Sequence, residues 1–316
     1  MAKDAEQSRE KFRTAIRSFW KGDIEWDVSL AKMTTLKIGG LAWAVVRPEA
    51  ADEAACVVKG CAGSGLPWVC MGRGSNILAL DTGFPGVVIT LEKMSGIRNR
   101  GRDRDGHHLV EVETGCSLAG LVKWCTDHAL SGLEFAAGIP GSVGGAVYMN
   151  AGAWAKEMKD VIFSITWFDG KSMITGTGED LQFEYRRWLV KDPVLAVKTV
   201  LRLEEGERQE IDRKCREYVA GRRAKQPYGA ASAGSFFKNP DGTPAGKLIQ
   251  DAGLKGTRVG GAVVSELHAN FIVNSGQATA EDVLCLMKKV QEQVRKESGV
   301  MLEPEVHFLG RGGLQR

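Results

Sequence analysis

The segment from residue 138 to residue 152, GIPGSVGGAVYMNAG, constrains the fold more than any other part of the 316-residue chain. Five of its fifteen residues are glycine, yet Ile, Val and Met stand among them. Flexible linkers are rich in Gly and Ser without large apolar side chains, so this segment is not a linker. Small residues over such a length let a backbone lie close against an extended ligand, although a tightly packed turn would use them too.

Composition and charge exclude several classes of protein. Hydrophobic residues make up 43% and charged residues 26%, which rules out a disordered chain and a coiled coil. The net charge is only +3, so neither nucleic acid nor a membrane surface is expected as a partner. The spacing of Phe12, Ile16 and Phe19 predicts an amphipathic amino-terminal helix rather than a signal peptide, and we expect a cytoplasmic protein.

Neither the cysteines nor the histidines form a pattern that binds metal. The seven cysteines are odd in number, scattered and without a CxxC pair, which also argues against a disulfide framework. His107 and His108 lie in a charged loop, and the other three histidines stand alone. We therefore expect no metal site.

The order of predicted elements indicates an α+β protein. A small strand–helix–strand unit precedes a charged hairpin tip at residues 98–108, and strands then dominate up to about residue 203. Ser117 and Thr279 are predicted helix caps, Thr279 with Asp282 as its capping-box partner. We divide the chain into a helical extension (1–21), two α+β subdomains (22–97 and 98–205) and a carboxyl-terminal α+β domain (206–316).

A second glycine-bearing loop, GRGSN at residues 72–76, directly follows a predicted apolar strand. Glycines in such a loop let the backbone turn several N–H groups toward one point, which is how loops bind phosphate oxygens. The loop is neither a Walker motif nor a dinucleotide-binding fingerprint, because neither GK[ST] nor a third helix-opening glycine follows. An ordinary turn between two strands remains the alternative.

A third segment, AGSFFKNP at residues 233–240, places Ser235 between a glycine and two aromatic residues. It does not match the nucleophile elbow GxSxG, so a serine hydrolase is not indicated.

Together these segments resemble the UDP-N-acetylenolpyruvoylglucosamine reductase family. Further motifs in the family's order and spacing are MTTLKIGG (33–40), EYR (184–186), KQP (225–227), AGKLIQDAGLKG (245–256), HANFIVN (268–274) and LEPEVHFLG (302–310). The resemblance runs from about Met33 to Gly310. The 38 residues from 187 to 224 are too few for the longer type's substrate-covering loop, so the chain resembles the shorter type. The tyrosine that this loop carries has no counterpart here.

The resemblance implies an FAD-binding module like that of the vanillyl-alcohol oxidase superfamily, built from two α+β subdomains, with a carboxyl-terminal domain that covers the substrate. It also implies that both glycine-rich segments and the amino-terminal motif contact FAD. The residues so assigned are Thr35, Ile38, Gly72, Arg73, Gly74, Ser75, Asn76, Gly138, Ile139, Pro140, Gly141, Ser142, Gly144, Gly145, Asn150, Ala151 and Gly152. We expect a Cβ at Gly74 to project to where the diphosphate would sit.

The implied reaction is the NADPH-dependent reduction of UDP-N-acetylglucosamine enolpyruvate to UDP-N-acetylmuramate, in peptidoglycan precursor synthesis. NADPH reduces FAD, and the reduced flavin then delivers hydride to the enolpyruvyl double bond. Covalent flavin attachment in this superfamily uses a His or Cys near residues 33–40, where neither occurs, so non-covalent FAD is expected. A monomer is expected too.

By the same resemblance Arg186, Ser235 and Glu305 are the catalytic residues. Arg186 is a forked cation suited to a carboxylate or enolate oxygen. Ser235 is the proton donor, and Glu305 is a second acid or electrostatic partner, selected over Glu303 by its Pro-Glu-Val context.

Three further residues are expected to bind substrates. Lys225 is assigned to phosphate or the nicotinamide cofactor, and Tyr185 and Asn239 to the sugar nucleotide. Two alternatives stay open at this stage. One is an FAD oxidase or dehydrogenase acting on a small alcohol or sugar, and the other is a flavin- or nucleotide-binding regulatory protein without turnover.

Overall fold

A computed structural model describes residues 2–17, 20–191 and 193–315 of the chain, with side chains from residue 6 onward. The chain folds into two compact units, and each is assembled from separate stretches of sequence. The first unit contains residues 1–26, 44–72 and 86–220, and the second contains residues 27–43, 73–85 and 221–316. The division of the chain into a helical extension and three domains stays a prediction from the sequence.

Some α-helices of the described residues begin or end at capping signals that the sequence carries. They are α1 Ala2–Ile16, α2 Ala51–Ser64, α3 Leu118–Asp127, α4 Val143–Tyr148, α5 Arg208–Lys225, α6 Ala245–Asp251 and α7 Ala280–Ser298. The Ser117 side chain accepts a hydrogen bond from the backbone N–H of Gly120, as an N-cap residue does. Gly65 ends α2 in the left-handed region, at a φ of 68°, which glycine adopts without steric cost.

The strands are short apart from one. They are β1 Ile24–Ser29, β2 Leu41–Val46, β3 Trp68–Cys70, β4 Ile77–Ala79, β5 Phe84–Ile89, β6 Ile97–Arg102, β7 His108–Glu113, β8 Leu130–Ser131, β9 Gly152–Ala153, β10 Lys156–Glu157, β11 Ile162–Phe168, β12 Met173–Thr177, β13 Phe183–Glu184, β14 Arg187–Trp188, β15 Leu195–Glu205, β16 Ala231–Ser235, β17 Arg258–Val259, β18 Ala262–Val264, β19 Phe271–Asn274, β20 His307–Gly310 and β21 Gly313–Gln315.

An antiparallel sheet in the order β12-β11-β15-β7-β6 forms the centre of the first unit, with β8 also paired to β15. Every second residue of β15 is buried from Leu195 to Leu203, the alternation expected of a strand with one face on the core. Helix α3 contributes Leu118 and Leu121 to the same hydrophobic cluster as Val110 of β7. Strand β3 runs parallel to β5, from Trp68 opposite Val87 to Cys70 opposite Ile89.

The second unit contains an antiparallel sheet in the order β16-β19-β18-β17 and a three-stranded sheet in the order β21-β20-β4. Helix α7 buries Val283, Leu286, Val290 and Val294 against this unit's core. Thr279 forms the predicted capping box of α7, because its side chain accepts from the N–H of Asp282 and the Asp282 side chain accepts from the Thr279 N–H.

The α+β class and most predicted elements are confirmed, including the hairpin across residues 98–108, which is β6–β7. Helix α4, inside the glycine-rich segment, was not predicted. Of the predicted amino-terminal helix stripe, Phe12 and Ile16 are buried, and Phe19 lies outside the described residues. Within the described residues, no helix combines the length and apolar character needed to cross a membrane.

Candidate active site

In the first unit, the glycine-rich segment and the end of β3 come together at Gly72 and Ser142. A Cβ built on Gly72 would lie 2.3 Å from the Ser142 Oγ, so glycine at this position lets the end of β3 approach the Ser142 side chain closely. Among the described residues, the N–H groups of Gly72, Gly141 and Ser142 donate to no protein acceptor. Gly72 is exposed and Gly141 is half-buried. Clustered backbone donors at an accessible surface fit the diphosphate of FAD.

Other small residues of segment 138–152 serve packing. The Ser142 side chain accepts from the N–H of Gly145 at 3.2 Å and caps α4. The N–H of Gly144 donates to the Thr114 carbonyl at 2.8 Å, and a Cβ at Gly144 would lie 3.0 Å from the Thr114 Cβ. The segment thus combines both interpretations of the sequence, because its helix packs tightly on the end of β7 while its first turn exposes backbone donors.

In the second unit, Gly74 packs closely against the motif at residues 33–40. Gly74 has a φ of 60°, and its Cβ would lie 2.2 Å from the Met33 carbonyl oxygen. The Gly74 carbonyl accepts from the N–H of Thr35 at 3.2 Å, and the Thr35 hydroxyl donates to the Ser232 carbonyl at 2.7 Å. The expected reason for Gly74 is therefore wrong: a side chain there meets backbone rather than a phosphate position.

Other residues assigned to FAD differ in exposure. Ile38 is buried in the core of the second unit, and Arg73 is exposed. Gly138 and Pro140 are exposed and Ile139 is half-buried, so this end of the segment offers an accessible surface. The cofactor contacts of these residues stay predictions.

Arg186 lies in the two-residue turn between β13 and β14 of the first unit, where Glu184 pairs with Arg187. Its φ is 59°, a left-handed conformation that costs a non-glycine residue of this kind about 1–3 kcal/mol. Its Nη2 donates to the Gly152 carbonyl at 3.1 Å, and its guanidinium lies 4.9 Å from the ring centroid of Tyr185. Arg186 is half-buried and Arg187 is exposed.

Asn150 is completely buried and its side chain is saturated by protein partners. Its Nδ2 donates to the Glu157 carboxylate at 2.9 Å and to the Glu184 carbonyl at 3.1 Å, while its Oδ1 accepts from the N–H of Lys159 at 3.0 Å. The side chain therefore has no donor left for FAD, and the expected cofactor contact of Asn150 stays a prediction.

The charge of Lys159 stabilises the Glu157 carboxylate, which is one of the partners of Asn150. Its ammonium lies 2.9 Å from the Glu157 Oε2, and this hydrogen bond raises the pKa of Lys159. The ion pair keeps Glu157 in place as the acceptor for the Asn150 amide.

Ser235 and Glu305 come together in the second unit. Ser235 ends β16 and pairs with Phe271 of β19, beside a register shift, and it is half-buried. The backbone N–H of Glu305 donates to the carbonyl of Phe236, the residue after Ser235, at 2.8 Å. The Asn76 side chain donates to the Glu305 carbonyl at 3.0 Å, which connects the GRGSN loop to the segment before β20.

Glu305 and Glu303 lie in different environments. The Glu303 carboxylate is exposed and lies 3.3 Å from the Lys238 ammonium, so it forms a surface ion pair. Glu305 is half-buried. This difference in environment agrees with the sequence-based choice of Glu305.

Asn270 fixes the backbone that follows Ser235, and sequence reasoning missed it. Its main-chain carbonyl accepts from Phe236 at 2.7 Å, and its buried side chain accepts from the Phe237 N–H at 2.9 Å and donates to the Phe237 carbonyl at 2.8 Å. The signal in the sequence is the asparagine directly before the apolar residues of β19 in HANFIVN, where a buried polar residue needs partners.

The residues assigned to substrates are accessible. Tyr185, Lys225 and Asn239 are exposed, Tyr185 in the first unit and the other two in the second. The Asn239 Oδ1 accepts from the N–H of Ala245 at the start of α6, at 3.0 Å. Asn239 thus has a structural role at the start of this helix.

One cluster in the described residues has the geometry to hold a metal ion, namely Asp103, Asp105 and His107. Arg202 lies against it, with its Nε 2.7 Å from Asp103 and its Nη2 2.5 Å from Asp105. A guanidinium in this position already neutralises the carboxylates and opposes a bound cation.

Comparison with known proteins covers nearly the whole chain. Residues 42–179 match the FAD binding domain, and residues 226–309 match the carboxyl-terminal domain of UDP-N-acetylenolpyruvoylglucosamine reductase. The reductase of Syntrophus aciditrophicus is 40% identical over 94% of this chain and 96% of its own length. That of Caldicellulosiruptor saccharolyticus is 43% identical over 93% and 95%. The crystal structure of the Thermus caldophilus reductase matches with a TM-score of 0.77 and 38% identity, over 90% of this chain and 98% of that one.

Proposed function

This chain belongs to the UDP-N-acetylenolpyruvoylglucosamine reductase family, and we propose that Arg186, Ser235 and Glu305 carry the protein's part of that family's reaction. The reaction converts UDP-N-acetylglucosamine enolpyruvate to UDP-N-acetylmuramate with NADPH, in the synthesis of peptidoglycan precursors. Bound FAD supplies the hydride chemistry between NADPH and the terminal carbon of the enolpyruvyl group. The protein must bind the sugar nucleotide, stabilise negative charge and deliver one proton.

Arg186 is proposed to hold the enolpyruvyl carboxylate and to stabilise the enolate oxygen as charge develops. The observation that carries this role is the φ of 59°, because a turn position that favours glycine keeps an arginine at an energetic cost. The bond from Nη2 to the Gly152 carbonyl limits the directions in which the guanidinium can point. A guanidinium forms charge-assisted, bidentate hydrogen bonds with a carboxylate.

Ser235 is proposed to donate the proton from its hydroxyl to the carbon adjacent to the carboxylate. A serine is a weak acid, so its geometry must be held while the enolate exists. Pairing with β19 and the Asn270 bonds to the next two residues support such rigidity. Glu305 is proposed as the electrostatic partner near the same carboxylate, and its backbone N–H is bonded to the residue after Ser235.

For the cofactor and substrates, the clustered N–H groups of Gly72, Gly141 and Ser142, which donate to no protein acceptor among the described residues, support binding of the FAD diphosphate. Lys225 is proposed to bind phosphate or NADPH, and Tyr185 and Asn239 to bind the sugar nucleotide. We also propose a cytoplasmic monomer without nucleic acid or membrane partners, in keeping with a net charge of +3.

The test is a flavin titration without oxygen. The purified protein should be yellow, acid precipitation should release the colour from the pellet, and NADPH should bleach the bound flavin. Adding UDP-N-acetylglucosamine enolpyruvate should then restore the yellow colour with formation of UDP-N-acetylmuramate. Reduction by a small alcohol or sugar in place of NADPH would show an oxidase or dehydrogenase, and a protein that does not bleach would favour a binding protein without turnover.

A further inference from the structure

We propose that Asn150 is a positioning residue for Arg186, and that its buried side chain fixes the Arg186 turn rather than contacting a ligand. This inference rests on the proposed role of Arg186. All the residues it involves lie in the first unit. Segment 150–152 reaches the turn at two points: the Asn150 amide binds the Glu184 carbonyl, and the Gly152 carbonyl accepts from the Arg186 guanidinium.

The two contacts act on different parts of the turn. The bond to Glu184, 3.1 Å long, holds the backbone two residues before Arg186, at the end of β13. The bond from the Arg186 Nη2 to Gly152, 3.1 Å long, holds the far end of the side chain. A strand of two residues has little intrinsic stability, so the strained turn needs this support from outside the hairpin.

Further hydrogen bonds fix the Asn150 side chain. Its Nδ2 also donates to the Glu157 carboxylate, which the Lys159 ammonium contacts. The Asn150 Oδ1 accepts from the backbone N–H of Lys159. Its φ is 41°, a conformation that Asn and Asp tolerate better than other non-glycine residues. The chain therefore requires at this position an amide that donates two hydrogen bonds from a left-handed backbone, and asparagine meets both requirements.

Asn150→Asp keeps the shape and the tolerance of the left-handed backbone but replaces two donors by an acceptor that faces the Glu157 carboxylate. Asn150→Gly keeps the backbone conformation and removes both donors without adding charge. We expect each variant to weaken binding of the enolpyruvyl sugar nucleotide to the oxidised enzyme and to slow its reduction, by about 10²-fold where the guanidinium moves by about 1 Å. Flavin content and the rate of flavin reduction by NADPH should stay within about two-fold of the wild type.

The matched control is Thr199→Val. Thr199 is buried in the same unit, and its hydroxyl donates one hydrogen bond, 2.8 Å long, to the Ser164 carbonyl. This variant also loses a buried hydrogen bond, so its thermal midpoint should fall, but it should reduce the sugar nucleotide at the wild-type rate. If Thr199→Val lost as much of this activity as the Asn150 variants, the effect would be one of general stability and the positioning role would be refuted.

A double-mutant cycle with Arg186→Gly tests the route of the effect, with affinity for the sugar nucleotide measured by calorimetry on the oxidised enzyme. In the Arg186→Gly background, Asn150→Gly should change this affinity by less than about two-fold, because the group it positions is gone. Equal effects of Asn150→Gly in both backgrounds would overturn the positioning role alone. An Arg186→Gly variant that binds and reduces the sugar nucleotide like the wild type would overturn the proposed function of Arg186 itself.

Discussion

The Arg186 turn of the first unit and the Ser235 strand of the second unit hold their functional side chains in different ways. Each depends on a buried asparagine, Asn150 in one and Asn270 in the other. Arg186 stands in a two-residue turn at a φ of 59°, and bonds reach both its hairpin backbone and its guanidinium. Ser235 is part of a paired strand, and the bonds go to the main chain of the residues that follow it.

The difference follows from the length of the two side chains. A serine hydroxyl is one bond from its Cβ, so fixing the backbone almost fixes the oxygen. An arginine has several rotatable bonds, and its head group stays mobile unless something holds it directly. The comparison teaches that the first unit must position a side chain, whereas the second unit need only position a main chain.

Ser235→Ala should give the largest effect. Removing a positioned proton donor typically costs about 10²–10⁴-fold in rate, or about 2.7–5.4 kcal/mol of barrier. Ser235→Cys keeps a proton on a side chain of similar shape and should recover part of the loss. Steady-state turnover of both variants measures this, and Ser235→Ala turning over within a few-fold of the wild type would transfer the donor role to Glu305.

Arg186→Gly should give the next largest effect, about 10²–10³-fold in reduction of the sugar nucleotide, as for the loss of one group that stabilises developing charge. Glycine fits a φ of 59° without strain, which offsets the lost bond to Gly152. The thermal midpoint should therefore stay close to that of the wild type. A variant that unfolds at a much lower temperature would show that Arg186 is chiefly structural, and the comparison with Ser235 would fail.

Gly74→Ala in the second unit should destabilise the protein more than Gly72→Ala in the first. A Cβ at Gly74 meets the Met33 carbonyl, which cannot rotate away, and its φ is 60°, so the cost is about 1–3 kcal/mol or more. At Gly72 the obstacle is the Ser142 hydroxyl, a side chain that can move. Denaturant unfolding of both variants, with flavin content, compares the two. Equal losses of stability would show that the contact with backbone is not the deciding factor.

The smallest expected effect is a dependence of stability on pH, and it arises in the region of Ser235. Burial lowers the pKa of His268, whose ring nitrogen accepts from the N–H of Asn270 at 3.2 Å. The unfolded chain then binds more protons than the folded one, so stability falls as the pH drops below the ordinary histidine pKa of about 6.5. The thermal midpoint of His268→Gln should depend less on pH between 7.5 and about 5.5. The thermal midpoints of His268→Gln are compared with those of His128→Gln, a matched substitution of an exposed histidine.

Local signals made much of this fold predictable from the sequence. The caps at Ser117 and Thr279 depend on residues three positions apart, and the alternation in β15 is visible within one strand. Helix α4 was not predicted because glycine disfavours helix. In addition, the N–H groups of its first turn donate to the carbonyls of Thr114 and Cys116, which are distant in sequence.

The site shows the same limit. The motifs identified Arg186, Ser235 and Glu305, but Asn150 is bonded to a carbonyl 34 residues away and Asn270 to an amide 33 residues away. Such pairs are set by tertiary structure, and no spacing in the sequence indicates them. The prediction of what a side chain at Gly74 would meet was wrong for the same reason, because Met33, whose carbonyl lies there, is distant in sequence.

The most direct test of the account is a single-turnover measurement on Ser235→Ala, with flavin reduction by NADPH and flavin reoxidation by UDP-N-acetylglucosamine enolpyruvate followed separately without oxygen. Ser235 is proposed to serve only the second step. The account predicts that the first step runs near the wild-type rate and that the second slows by about 10²–10⁴-fold. Equal slowing of both steps, or wild-type rates in both, would contradict it.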